Sequence, residues 1–219
     1  MNITAILARL RTHANPAGMT DLVRYGINPA TALCIKTPIL RALAREIGKS
    51  HELAQQLWNS DIHEARILSS MVDEYKLVTP AQMEAWARDF NSWDVCDQVC
   101  ANLFDKTPFA YEKAKKWTSE SEEFYKRAGF ALIAALAWHD KEVSDKKLKE
   151  FFPYIKKHAT DERNYVKKAV NWALRQIGKK RQSLTKPSIN CAEEILKLYP
   201  NSKSARFIAN DAIRELKKR

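Results

Sequence analysis

The chain has 219 residues, with 37 Lys and Arg against 26 Asp and Glu, and it contains only five glycines and eight prolines. So few turn-forming residues argue against a β-sandwich or barrel, which needs a turn about every ten residues, and favour helices throughout. The longest apolar stretch, residues 128–138, is too short to span a bilayer, and the first 14 residues do not resemble a secretory signal. We therefore expect a cytoplasmic protein that does not contact membranes.

Helix start and stop signals occur along the whole chain. Thr37-Pro38 and Gly48 bracket the first clear helix, Ser50 and Thr79 precede two others, and Gly178 is expected to end a long one. In chain order the predicted helices cover residues 39–47, 51–58, 61–75, 80–90, a helix beginning at 93, 109–117, 121–138, 144–158, 161–177, 187–198 and 202–216.

Basic residues recur at similar places in alternate long helices, namely Arg66, Arg127, Lys168 and Arg206. The last three are separated by 41 and 38 residues, a period typical of HEAT-like repeats with one helix hairpin per period. The first gap is 61 residues, which predicts irregular repeats or an extra helix in the first half. We predict one domain over residues 1–219, an all-α right-handed solenoid of HEAT-like repeats with a concave basic face.

Charge is concentrated in the second half of the chain. Residues 1–110 carry 11 Lys/Arg and 12 Asp/Glu, a net of −1, whereas residues 111–219 carry 26 and 14, a net of +12. Such a concentration favours a polyanionic partner, most simply nucleic acid. The alternative is that these cations only solvate the surface and the helix starts.

The four cysteines, Cys34, Cys96, Cys100 and Cys191, form no C-x-x-C pair, and no two histidines have zinc-protease spacing. Cys96 and Cys100 are four residues apart, and we expect them to be small buried residues of a helix core. No metal site is predicted, and reduced thiols fit the cytosol.

Two tryptophan-centred helix faces are the candidate functional features. Trp93 and Asp97 are four residues apart, so a helix places an indole beside a carboxylate, and Trp172 lies near Arg175 in the basic half. Aromatic planes, one acid and many cations suggest chemistry on a nucleic-acid sugar. From the residues alone, each tryptophan could instead belong to the core, and Asp97 could be a solvated helix residue.

Three segments, residues 93–97, 126–132 and 167–175, resemble the DNA alkylation repair family of HEAT-like-repeat glycosylases, the AlkD family. The resemblance covers essentially the whole chain. It implies base excision repair: hydrolysis of N3- or N7-alkylated purines from double-stranded DNA by a monomer that needs neither a metal nor an organic cofactor.

The resemblance also implies roles for individual residues. Trp93 and Trp172 would face the sugar of the damaged nucleotide, and Asp97 would be the catalytic acid. The residues expected to contact DNA are Arg127, Arg175, Lys168, Arg66, Arg206, Tyr25 and Lys36. Two alternatives stay open: a non-catalytic repeat protein that binds branched or damaged DNA, and a helical scaffold that binds peptides.

Overall fold

The computed structural model describes residues 2–218, which form helices and contain no strand, so the all-α prediction is confirmed. These residues form two compact units that divide between Thr107 and Pro108. The helices of the first unit are α1 (Ile3–Thr12), α2 (Met19–Arg24), α3 (Thr37–Ile47), α4 (His51–Asn59), α5 (His63–Val72), α6 (Pro80–Arg88) and α7 (Trp93–Asn102). Those of the second unit are α8 (Ala110–Trp117), α9 (Glu123–His139), α10 (Asp145–Lys149), α11 (Phe152–Lys157), α12 (Asn164–Lys180), α13 (Gln182–Leu198) and α14 (Lys203–Lys217).

Several helices begin at a hydroxyl side chain. Ser50, Thr79, Ser144 and Ser202 each accept a hydrogen bond of 3.1–3.3 Å from the backbone N–H three residues later. Each bond satisfies an N–H group that has no partner within the helix. Gly48 ends α3 with a φ of 80°, which glycine adopts at low cost. The helix starts predicted at Ser50 and Thr79 and the end at Gly48 are confirmed.

The core of the first unit contains an aromatic cluster. The rings of Trp58 and Trp86 stack with centroids 4.1 Å apart and planes inclined by 2°, and Phe90 meets Trp58 edge-on at 6.0 Å. The buried indole N–H of Trp58 donates to Asp89 Oδ2 at 2.9 Å, so it does not lose its hydrogen bond on burial. In this unit α5 packs against both α3 and α7, and it therefore fixes the helix that carries Trp93.

The second unit has two layers of helices. α9, α12 and α14 pack side by side, and α8, α11 and α13 pack against them. α9 is buried continuously over residues 127–137. At Gly129 it approaches α8 so closely that a Cβ atom would lie 2.5 Å from the backbone nitrogen of Thr118. Glycine is therefore required for this helix contact.

Hydrogen bonds between successive hairpins reveal the repeat of the second unit. The Tyr165 N–H donates to Glu123 Oε1, 42 residues before it, and Lys156 Nζ donates to Glu194 Oε2, 38 residues after it. Equivalent positions in neighbouring hairpins are therefore about 40 residues apart. The period predicted from the basic residues is confirmed in this unit.

The first unit has a shorter repeat. Trp58 contacts Asp89, and His63 contacts Asp94, in both cases across 31 residues. Shorter hairpins thus account for the irregular spacing that the sequence showed in its first half. The unpredicted helix α2 lies before these hairpins and adds a short element near the N-terminus.

Gly178 does not end a helix as predicted, because α12 continues to Lys180. A Cβ atom at position 178 would lie 2.8 Å from Leu216 Cδ2 and 3.0 Å from Ser188 Cβ. This glycine therefore permits close packing inside the unit rather than a turn.

Other helix bounds also differ from the prediction. The helix predicted over residues 144–158 is divided into α10 and α11, and Pro153 lies in the first turn of α11, where its missing N–H costs little. Pro187, expected at a helix start, lies inside α13. The helix predicted over residues 61–75 is shortened to α5, and Asp61 before it has a left-handed φ of 56°.

The boundary between the units also divides the charge. Residues 108–110 are uncharged, so the sequence before the boundary has a net charge of −1 and the sequence after it has +12. The basic character predicted from composition therefore belongs to one structural unit.

Candidate nucleic-acid interface

Trp93 and Asp97 lie on the first two turns of α7. Both are half-buried, while Val95, Cys96, Val99 and Cys100 bury the opposite side of the helix. Because residues four apart lie one above the other on a helix, the indole and the carboxylate share one face. The structure thus places this pair at the surface of the first unit, and the two cysteines belong to the core as predicted.

A backbone carbonyl orients the Trp93 indole. Its Nε1–H donates to the carbonyl oxygen of Tyr25 at 3.1 Å, across 68 residues of sequence. Tyr25 itself is 59% exposed, just after α2. The predicted contacts Tyr25 and Trp93 are therefore neighbours, and with Asp97 they form what we call the Trp93 patch.

Asp94, next to Trp93, has a different environment. Its Oδ2 lies 2.8 Å from Nε2 of His63, which is 5% exposed in α5. Burial alone would lower the pKa of His63, but the hydrogen bond and charge of Asp94, together with the charge of Glu64, raise it. Burial would raise the pKa of Asp94, but the hydrogen bond and charge of His63 lower it. Asp94 therefore fastens α7 to α5.

Lys36 lies exposed at the N-cap of α3, where it was predicted to approach DNA. The loop before it is fixed by the buried Glu64 carboxylate, which accepts hydrogen bonds from the N–H groups of Leu33 at 2.7 Å and Ile35 at 3.2 Å. Cys34 between them has a left-handed φ of 58°. Glu64 thus positions Lys36, a role that the sequence did not indicate.

The Arg66 side chain has contacts within the first unit. It is 13% exposed, its Nη2 lies 2.9 Å from Asp61 Oδ1, and its guanidinium lies 5.1 Å from the Trp58 ring centroid. A phosphate contact by Arg66 stays a prediction, and it would compete with the Asp61 ion pair.

Lys168, Trp172 and Arg175 follow one another along α12 in the second unit. Lys168 is exposed, and Trp172 is half-buried at the surface. The Arg175 Nη1 atom lies 3.3 Å from Asp211 Oδ2 and 3.8 Å from Glu215 Oε2 of α14. The predicted row on one helix face is therefore present, with its arginine directed toward carboxylates of the next hairpin.

Arg127 is the most buried of the predicted DNA contacts, with 6% exposure. Its Nη1 donates to the carbonyl oxygen of Tyr165 at 2.6 Å, while Glu123 accepts the N–H of the same residue at 3.1 Å. Arg127 and Glu123 together hold the start of α12 against α9. By contrast, Arg206 is exposed on α14, as a phosphate contact requires.

Within residues 2–218, no three or more His, Cys, Asp or Glu side chains are grouped so that they could hold a metal ion. None of the helices in that range is long and apolar enough to cross a membrane. The expectations about metal, oligomeric state and cellular location stay predictions.

Comparison with known proteins agrees with this fold. One solved structure, reported as "A new family of proteins related to the HEAT-like repeat DNA glycosylases with affinity for branched DNA structures", has a TM-score of 0.80 to this chain at 17% identity. The similarity covers 89% of this chain and 83% of that one, and it confirms the HEAT-like fold. No curated protein matches the sequence. The family model described as "DNA alkylation repair enzyme" matches residues 6–216, and the chain therefore belongs to the DNA alkylation repair enzyme family.

Proposed function

We propose that this protein is a DNA glycosylase that hydrolyses the N-glycosidic bond of cationic N3- or N7-alkylated purines in double-stranded DNA. One observation carries the proposal. A half-buried indole and a half-buried carboxylate, Trp93 and Asp97, share a face of α7 whose orientation is fixed at Tyr25 and at His63. A rigid aromatic plane beside an acid suits a substrate that becomes positively charged.

The chemistry of the bond explains why this pair is useful. When the bond between C1′ and the alkylated purine breaks, its electron pair neutralises the departing base, and positive charge develops on the deoxyribose. The Asp97 carboxylate stabilises that charge and orients the water that adds to C1′. The Trp93 ring face attracts the same cation through its quadrupole. The proton that water loses passes to Asp97 or to solvent.

The second unit supplies cations for DNA affinity. Lys168 and Arg206 are exposed, and Trp172 lies one turn after Lys168 on α12. We assign these residues to the DNA backbone and sugar because lysine and arginine neutralise phosphates and release counterions. Arg175 and Arg127 would contribute mainly by ordering α12, since both have protein partners.

The test is single-turnover release of 7-methylguanine from duplex DNA at saturating enzyme. Wild-type protein should release the base, and Asp97→Asn should do so about 10²–10³ times more slowly, which corresponds to about 3–4 kcal/mol. Asp94→Asn is the matched control: it removes the same charge three residues away, keeps a side-chain oxygen that can accept a hydrogen bond from His63, and should slow release far less than Asp97→Asn. Equal rates for wild type and Asp97→Asn would remove Asp97 from the mechanism.

Binding to branched or damaged DNA without excision is the second candidate. It is favoured by the affinity for branched DNA reported for the similar structure and by the internal contacts of Arg127 and Arg175. A wild-type protein that releases no base but binds a four-way junction more tightly than duplex DNA would establish this function instead.

A further inference from the structure

An open cleft of about 220 Å³ in the first unit is lined by four cationic side chains and by no acidic one. We call it the Arg41 cleft, and its lining consists of Arg41, Arg45, Lys49, Lys106, Ala44, Met71 and Asn102. None of its four cations belongs to the DNA contacts described above.

The composition of the first unit makes this cluster unexpected. The sequence before the unit boundary has 11 Lys and Arg against 12 Asp and Glu, yet four of those 11 converge on one cleft. Like charges held together repel, and an anion between them would relieve the repulsion. The pKa of Lys49 is lowered, first by desolvation and then by the charge of Lys106, although Asp73 and Glu74 oppose the shift.

The two lysines are held in place by helix ends. Lys49 Nζ donates to the carbonyl oxygens of Met71 and Asp73, both at 2.8 Å, and Lys106 Nζ donates to that of Asn102 at 2.6 Å. Each ammonium has three N–H groups, so one remains on Lys49 and two remain on Lys106 for an acceptor in the cleft. The lysines therefore form a fixed cationic wall.

The two arginines also line the cleft. Arg41 and Arg45 are exposed on successive turns of α3, so their side chains lie side by side. A guanidinium presents a planar fork of donors that matches two oxygens of a phosphate. Two guanidinium forks and two ammonium groups that line one cleft suit a tetrahedral dianion or a phosphodiester.

We propose that the Arg41 cleft binds a backbone phosphate of the DNA substrate. Asn102 in its lining is the last residue of α7, and Trp93 is the first. At about 1.5 Å per residue the two ends are about 14 Å apart, which equals about four base steps at about 3.4 Å each. Nine residues also correspond to about half a turn around the helix, so the duplex backbone would have to cross the end of α7 to reach the cleft from Trp93. This inference rests on the DNA-binding part of the proposed function and is independent of base excision.

The experiment measures how binding to undamaged duplex depends on salt. Arg41→Ala combined with Arg45→Ala should make the slope of log K against log salt shallower by about 1–2, because each lost phosphate contact removes about 0.9. Arg41→Lys with Arg45→Lys should restore the wild-type slope. The control pair Lys76→Ala and Arg88→Ala removes two exposed cations of the same unit outside the cleft and should leave the slope unchanged.

A second arm separates DNA from free phosphate. Inorganic phosphate is titrated against wild type and the double alanine variant, with ³¹P line broadening as the readout. An unchanged salt slope overturns the proposal, and saturable phosphate binding lost in the variant would then identify a small-anion site. Failure of wild type to release a base would refute glycosylase activity, while the salt slope would still test the cleft.

Discussion

The ion pair between Asp94 and His63 gives the sharpest test of how α7 is held. In Asp94→Asn the amide keeps the shape of the side chain but removes the negative charge beside a histidine that is 5% exposed. His63 would keep the charges of Glu64 and Arg66 nearby, which act on its pKa in opposite directions. Without Asp94, burial would dominate and would favour the neutral ring.

The cost of this substitution should depend on pH. The pKa of folded His63 is raised above 6.5, so its contribution to stability is present below pH 6.5 and is lost as pH rises through the folded value. The pKa of folded Asp94 is lowered below 3.8, so its contribution is present above pH 3.8 and is lost as pH falls through the folded value. The pair therefore stabilises the fold most between these limits.

Near pH 5.5 the lost interaction is a charge-assisted hydrogen bond, worth about 1.5–3 kcal/mol. For a chain of this size, about 2 kcal/mol lowers Tm by about 4–8 °C. As pH rises through the raised pKa of folded His63, the ring loses its proton and the ion pair becomes a hydrogen bond from a neutral imidazole to the Asp94 carboxylate, so the loss should become smaller.

The assay is thermal unfolding of wild type, Asp94→Asn and Asp97→Asn at pH 5.5 and pH 8. Asp94→Asn should lose more stability at pH 5.5, while Asp97→Asn should stay close to wild type in Tm at both values. The same Tm difference for Asp94→Asn at both pH values would refute the ion pair as the cause. Together with the base-release assay, the two variants should show that Asp94 contributes mainly to stability and Asp97 mainly to the rate of base release.

Two further predictions concern packing and DNA affinity. Gly129→Ala places a Cβ against backbone atoms that cannot move independently, so it should lower the free energy of unfolding by about 2–3 kcal/mol. Gly178→Ala places its Cβ against side chains and should lower it by less than about 1 kcal/mol. Urea unfolding of both variants measures the difference. Lys168→Ala should make the slope of log K against log salt for DNA binding shallower by about 1 without changing Tm. Arg127→Ala should also lower Tm, because the hydrogen bond to the Tyr165 carbonyl oxygen is lost. DNA binding by wild type that does not depend on salt would contradict both predictions.

Helix faces could be predicted because they depend only on local spacing. Trp93 and Asp97 are four residues apart in sequence and therefore on one face of α7, and the same holds for Lys168 and Trp172 on α12. The period near 40 could be read for the same reason, since each repeat is one hairpin of two local elements.

The partners of those residues could not be predicted, because they come from distant parts of the chain. The carbonyl that orients Trp93 is 68 residues away, and the histidine that holds Asp94 is 31 residues away. Neither of these sequence separations equals the period of about 40 residues that the basic residues show. The prediction that Gly178 ends a helix was wrong for a related reason. A glycine that ends a helix and a glycine that lets two helices approach look identical in sequence.

The hydrogen-bond acceptors of arginines also could not be predicted from sequence. Sequence identifies the charge of Arg127 but not its acceptor, and the acceptor is the Tyr165 carbonyl oxygen at 2.6 Å. Helical spacing alone would pair Arg127 with a glutamate one turn before it. Glu123 instead accepts the N–H of Tyr165, so both side chains serve the junction between hairpins.

The net charge of the first unit hides two opposite local charges. Without the four cations of the Arg41 cleft, seven Lys and Arg remain against 12 carboxylates in that part of the sequence, a net of −5. A polyanion responds to the local potential, so an average of −1 does not exclude a phosphate site there. Part of this cluster could be predicted from the sequence, because Arg41, Arg45 and Lys49 are spaced four residues apart. Lys106 is distant in sequence and lines the cleft only because of the fold. Cations in a row at helical spacing therefore indicate a local positive potential that the net charge of the unit does not reveal.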